Sequence, residues 1–173
     1  MDPVMLILRA LHIGAGVLWV GAAWTFYLFI GPSMRALAAD AQQTFMTHLT
    51  RERRLTHVIL GATIVTVAAG AILYWIQWQR FGELWFQSGY GISLTIGAIA
   101  ALIAFAMGPT LIAPAFERMG ELGARMAGGG GPPSEEDLAE MGHVGKRLQK
   151  LLTADSLLLV VAVFFMATAQ YWG

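Results

Sequence analysis

The chain has 173 residues, 57% of them hydrophobic and only 13% charged, with a formal net charge of zero and no Cys. A mean hydropathy of +0.61 lies outside the range of soluble domains. The balanced charge gives a nucleic-acid partner no electrostatic support, and the missing Cys excludes disulfides, thiolate metal sites and iron–sulfur clusters.

Residues 10–34, 58–79, 84–116 and 156–173 carry no Lys, Arg, Asp or Glu, and the last stretch extends back to Leu151 with a single acid, Asp155. About 20 apolar residues cross a hydrocarbon core as a helix, and lipid offers no partner for an unpaired backbone group. The expected fold class is therefore all-α: an integral membrane four-helix bundle forming one domain over 1–173, with spans at about 5–31, 56–79, 88–113 and 150–172. The first span lacks a basic leader segment and a clean small-x-small cleavage site, so it reads as a span and not as a signal peptide.

In chain order, the first span holds His12 and a face of Gly16, Trp19, Ala23 and Tyr27 at helical spacing. From Ala36 to Arg54, the apolar residues Leu37, Phe45, Met46 and Leu49 among polar ones suggest a helix lying near the interface. Gly61 and Gly70 in the second span, and Gly89, Gly91 and Gly97 in the third, suit close helix approach, as do Gly14, Gly16 and Gly21 in the first. Gly108-Pro109 should kink the third span. Residues 128–133 read as a flexible Gly/Pro linker. Ser134, followed by Glu135, Glu136 and Asp137, is an N-cap signature for a helix running on through Lys146 into the fourth span.

Nine of the eleven basic residues fall in the two loops after the first and third spans, against Arg9 and Arg80 on the other side. The positive-inside rule places those loops in the cytoplasm and both termini outside the inner membrane. Trp75, Trp78, Trp85, Phe86, Tyr171 and Trp172 would form an aromatic belt on the outer side.

His12 is the most informative residue. It lies about 12 Å into the first span at 1.5 Å per residue, where an ionisable side chain is a functional hypothesis by default. A neutral imidazole at that depth could bind a cofactor metal, or could simply bond a backbone carbonyl, Ser93 or Thr95. Met166 is at comparable depth, and His/Met is an axial pair for haem. Arg9 and Arg80 could neutralise haem propionates, while Gln170, Tyr90, Tyr74 and Gln77 are further polar residues at that level. His57 is expected to be partly buried, His48 and His143 solvated, and no spacing between histidines supports a zinc hydrolase. Asp155 is expected to reach the interface or to pair with Arg54 or Lys150.

Leu11-His12 followed by Leu18-Trp19-Val20-Gly21 resembles the first helix of a group of small membrane proteins. That group includes the membrane domain of copper resistance protein D and the flavin-free membrane protoporphyrinogen oxidases. Arg51-Glu52-Arg53-Arg54-Leu55 resembles the entry to the oxidases' second helix. The resemblance implies a haem-linked role for His12. The oxidases' third-helix Lys and their Asn-Glu before the last helix have no counterpart: Ser93 and Thr95, and Leu152-Thr153, stand in the nearest regions. The implied function is a b-type haem protein of the membrane, with His12 as a metal ligand, in electron transfer or porphyrin/quinone redox chemistry. Two alternatives remain open: a non-catalytic subunit or assembly factor of a larger respiratory or photosynthetic complex, and copper transport. Partners would be the bilayer and a larger complex or a second copy.

Overall fold

The computed structural model describes residues 2–52, 54–128 and 132–173, so Arg53 and residues 129–131 of the expected linker lie outside the described residues. Five helices account for nearly all of the rest: α1 (Pro3–Met34), α2 (Ala39–Thr47), α3 (Leu55–Phe81), α4 (Gly89–Gly128) and α5 (Glu135–Thr168). Among the described residues there is no strand. α1, α4 and α5 are long and apolar enough to cross a membrane, and so is α3 with the short turn of helix after it. The protein is a multi-pass helical membrane protein.

The helix starts follow from local chemistry. Asp2 caps α1 by accepting a bond from the Val4 N–H at 3.0 Å, with Pro3 in the first turn, where its missing N–H costs nothing. Ser88 caps α4 through the Gly91 N–H at 3.1 Å. Ser134 caps α5 through the Asp137 N–H at 3.1 Å, with three acidic residues in the first turn, and the helix then runs unbroken into the fourth span.

The prolines are absorbed without breaking the helices. α1 passes through a π turn at Phe26–Ile30 just before Pro32, and α4 passes through one at Gly108–Ile112 that contains Pro109. The expected disturbance at Gly108-Pro109 thus takes the form of a wider turn inside a continuous helix. Arg54, just before α3, has a φ of 51° that turns the chain sharply into the helix.

Helices pack as two intimate antiparallel pairs, α1 with α3 and α4 with α5, and the pairs meet along a central core of Trp19, Ala62, Ala104 and Leu159, one residue from each span. Hydroxyls within the spans bond back to their own helix, as in Thr63 to the Ile59 carbonyl and Thr66 to the Ala62 carbonyl, both at 2.8 Å. That local pairing satisfies groups that lipid cannot. Not every glycine is a contact point: Gly16, Gly70, Gly89, Gly91 and Gly97 meet neighbouring groups, whereas Gly14, Gly21 and Gly61 face open space.

The polar halves of α4 and α5 are tied by charge. Arg118 bonds Glu140 through two nitrogens at 2.9 and 2.6 Å and Glu121 at 3.0 Å, while Arg125 pairs with Asp137. α2 lies apart from the bundle core, with Leu37 before it and Phe45 within it exposed, as an interfacial helix requires.

Candidate functional site

His12 is part-buried where α1 packs on α3, its Nδ1 lying 2.8 Å from the Thr66 carbonyl oxygen. A carbonyl can only accept, so Nδ1 carries a proton, and Nε2 has no hydrogen bond to a described residue. The close approach depends on Gly70, one turn along α3. A Cβ there would stand 2.7 Å from His12 Cε1 and 2.9 Å from Nδ1. On the next turn of α1, Gly16 faces Thr66, where an added Cβ would meet Thr66 Cγ2 at 3.5 Å. The small residues beside His12 therefore seat a neighbouring helix. The other acceptors open to His12 are engaged elsewhere: Ser93 bonds the Phe165 carbonyl at 3.0 Å, and Thr95 bonds the Gly91 carbonyl at 2.7 Å and Tyr74 at 2.8 Å.

Seven residues bring a helix back to nearly the same face. One such step from Trp19, Ala62, Ala104 and Leu159, about 10 Å towards the chain termini, reaches His12, Ala69, Gly97 and Met166. These four form a second layer, in which Ala69 and Gly97 are buried and His12 and Met166 part-buried. Met166 sits over Gly97 in the seam between α4 and α5, where an added Cβ would lie 2.8 Å from its Cγ. His12 and Met166 thus share a depth but occupy different helix seams. Arg9 and Arg80 are both exposed near the end of the bundle that holds the termini, with no ion pair to any described residue.

The remaining histidines are surface groups. His48 and His143 are exposed, as expected. His57 is exposed too, contrary to expectation, because it lies on the opposite side of α3 from the buried stripe of Ala62, Thr63, Thr66 and Ala69. Gln170 is likewise exposed.

Sequence reasoning missed a polar and aromatic cluster beside this layer. Trp85 was expected in a lipid-facing belt, but it is fully buried, held in the short 3-10 turn Gly82–Gln87 that folds back over the helix ends. Its Nε1–H donates to the Tyr74 hydroxyl at 2.9 Å, Tyr74 pairs with Thr95, and Gln77 donates to Tyr90 at 3.0 Å. Tyr74 and Tyr90 meet the Trp85 ring edge to face, with centroids 5.1 and 5.8 Å away. The signal was present in Gly89 and Gly91: a Cβ at Gly91 would overlap the Trp85 carbonyl and one at Gly89 the Trp172 carbonyl. The rest of the belt, Trp75, Trp78, Phe86, Tyr171 and Trp172, is exposed.

Asp155 also departs from expectation. It is 9% exposed and has neither hydrogen bond nor ion pair to any described residue. It shares the inward stripe of α5 with Leu148, Leu159 and Ala162, one or two turns away on the same face, so it faces the bundle interior.

Among the described residues no three His, Asp or Glu side chains converge as a metal cluster. An apolar recess lined by Phe29, Ile30, Met34, Leu37 and Phe45 lies at the α2 end of the bundle, remote from His12. No family model, curated protein or solved structure matches the chain. The bundle thus holds an imidazole with Nδ1–H anchored, a thioether at the same level in another seam, and, near the end that holds the termini, two guanidinium groups with no ion pair to any described residue.

Proposed function

We propose that this protein is a b-type haem-binding protein of the cell membrane, serving electron transfer or porphyrin/quinone redox chemistry, with His12 Nε2 as an axial ligand. One observation carries the reading: the His12 Nδ1–H bond to the Thr66 carbonyl, which alone would satisfy a histidine that binds no metal and which also leaves Nε2 without a partner among the described residues. Iron-ligating histidines commonly donate their second ring nitrogen to a carbonyl or carboxylate, which fixes the tautomer and orients the lone pair. That arrangement, at a depth where an ionisable residue is costly to keep, is what a resident axial ligand needs. Haem held there supplies one-electron chemistry whose potential depends on the second ligand and on burial.

In this reading Met166, at the same level but in the other seam, would be the second residue to hold the iron, and Arg9 and Arg80 would hold the propionates by charge-assisted bonds. The positive-inside distribution puts both termini outside and α2 at the cytoplasmic face. Purified protein titrated with haem b should develop a Soret band at one haem per chain. His12→Ala should lose it, whereas His48→Ala and His143→Ala should not. A wild-type spectrum and haem content in His12→Ala would sink the assignment. Copper binding without haem, measured by metal analysis, would instead favour transport.

A further inference from the structure

The cations on the α2 side of the bundle fall into two groups. On the polar half of α4, Arg118 and Arg125 are neutralised by Glu121, Glu140 and Asp137. Arg35 at the end of α1, and Lys146 and Lys150 on α5, are exposed and have no ion pair to any described residue. The Arg35 guanidinium meets a neutral group, the Gln149 side-chain oxygen at 3.4 Å, which brings the end of α1 against that face of α5. Lys146 and Lys150 lie within about 100° of Gln149 around α5, whereas Arg147 lies about 160° away, on the far side. Acids are sparse here: none stands between Pro3 and Ala39 or between Gly142 and Ala154, and the first after Arg35 is Asp40.

The apolar recess at this end begins next to Arg35 in the chain. Met34 on one side of it, and Leu37 two residues beyond, line the recess with Phe29, Ile30, Ser33 and Phe45. Phe29, Leu37 and Phe45 are exposed, so the recess opens outward, at the level where α1 leaves its span and α2 lies along the interface. Its cavity volume is about 210 Å³. That is below the roughly 300–1,000 Å³ of pockets that enclose a whole small molecule. It suits a segment of hydrocarbon chain that enters from the side, beneath a charged group that stays outside.

We propose that this corner of the bundle binds one anionic glycerophospholipid, with its phosphate held by Arg35, Lys146 and Lys150 and one acyl chain in the recess between the end of α1 and α2. The cations supply the charge complementarity: three of them without acidic partners among the described residues face an anionic headgroup, as basic patches beside membrane helices do. A zwitterionic lipid brings its own ammonium group to the same patch and is disfavoured by it. A free phosphate gains only the exposed cations, whereas a lipid also buries methylenes in the recess, each of which adds to binding.

The test is native mass spectrometry of the full chain in neutral detergent micelles, titrated with phosphatidylglycerol or with phosphatidylcholine of the same acyl chains. It needs no haem and so stands apart from the haem reading. One phosphatidylglycerol per chain should bind, at least about tenfold more tightly than phosphatidylcholine, on a factor of roughly five per cation. Arg35→Gln should weaken phosphatidylglycerol about fivefold, and Lys150→Gln should add a similar loss. Arg35→Lys, which keeps the charge, should restore most of the binding. Ser33→Trp should fill the recess and weaken the lipid with all three cations in place. Arg147→Gln should leave binding unchanged, because that side chain lies on the far side of α5. Glycerophosphoglycerol, the headgroup without its chains, should not displace the lipid at equal concentration. Equal binding of the two lipids, or equal losses in Arg35→Gln and Arg147→Gln, would mean a diffuse surface field with no site, and the proposal would be wrong. Displacement by glycerophosphoglycerol, or unaltered binding in Ser33→Trp, would overturn the acyl chain's place in the recess.

Discussion

Gly70→Ala tests the geometry on which the candidate site depends. The new methyl would stand 2.7 Å from His12 Cε1 and 2.9 Å from Nδ1, so the ring must move. Overpacking of this kind costs about 1–3 kcal/mol. Losing the 2.8 Å bond to the Thr66 carbonyl adds roughly 0.5–1.5 kcal/mol. Ala in place of Gly within a helix returns about 1 kcal/mol. The net cost in the wild-type background is then about 1–3 kcal/mol. In a His12→Ala background the clash and the bond are both absent, and the same change should be neutral or stabilising by up to about 1 kcal/mol. The two substitutions should therefore couple by the clash and the bond together, about 1.5–4.5 kcal/mol in a double-mutant cycle. Reversible unfolding in mixed micelles reads the cycle directly. Equal costs of Gly70→Ala in both backgrounds would refute the claim that the glycine exists to admit the imidazole. If haem is bound, Gly70→Ala should also shift its spectrum, because the ring turns and the Nδ1–H loses its carbonyl.

Gly91→Ala should be more damaging than Gly70→Ala, because its methyl would overlap backbone, the Trp85 carbonyl, which cannot swing aside; loss of folded protein on size exclusion would show it. Trp85→Phe should cost about 1 kcal/mol through the lost bond to Tyr74, and Trp85→Ala about 3–5 kcal/mol as a cavity in a fully buried site; near-equal losses would contradict the burial. Glu140→Gln should loosen the polar ends of α4 and α5, raising the rate of proteolysis there at low salt more than at high salt, because the affected pairs with Arg118 and Arg125 are part-exposed. Cysteine placed at Ser134 should react only with a membrane-permeant reagent on intact cells; labelling by an impermeant one would invert the proposed orientation.

Much of this molecule was legible in one dimension because lipid imposes a simple rule. Uncharged runs of the right length must be helices, so the four long apolar helices and the Ser134 cap could be read from residue order alone. Met166 could be matched to His12 in depth for the same reason, since depth is only a count along a helix. What a sequence leaves undetermined is rotation, meaning which seam each face enters. His57 and Asp155 were both misread on that point: each sits near a span end, but one faces outward, opposite the buried stripe of α3, and the other inward, along the core stripe of α5. Trp85 was misread because an aromatic residue between two spans suits a lipid-facing belt as well as it suits a fold-back turn. Only the contacts with Gly91, Tyr74 and Tyr90 show that it is buried. The bond from His12 to the Thr66 carbonyl likewise needed the tertiary structure, because it joins residues 54 positions apart. Depth is a property of one helix, whereas partnership is a property of two, and only their packing determines it.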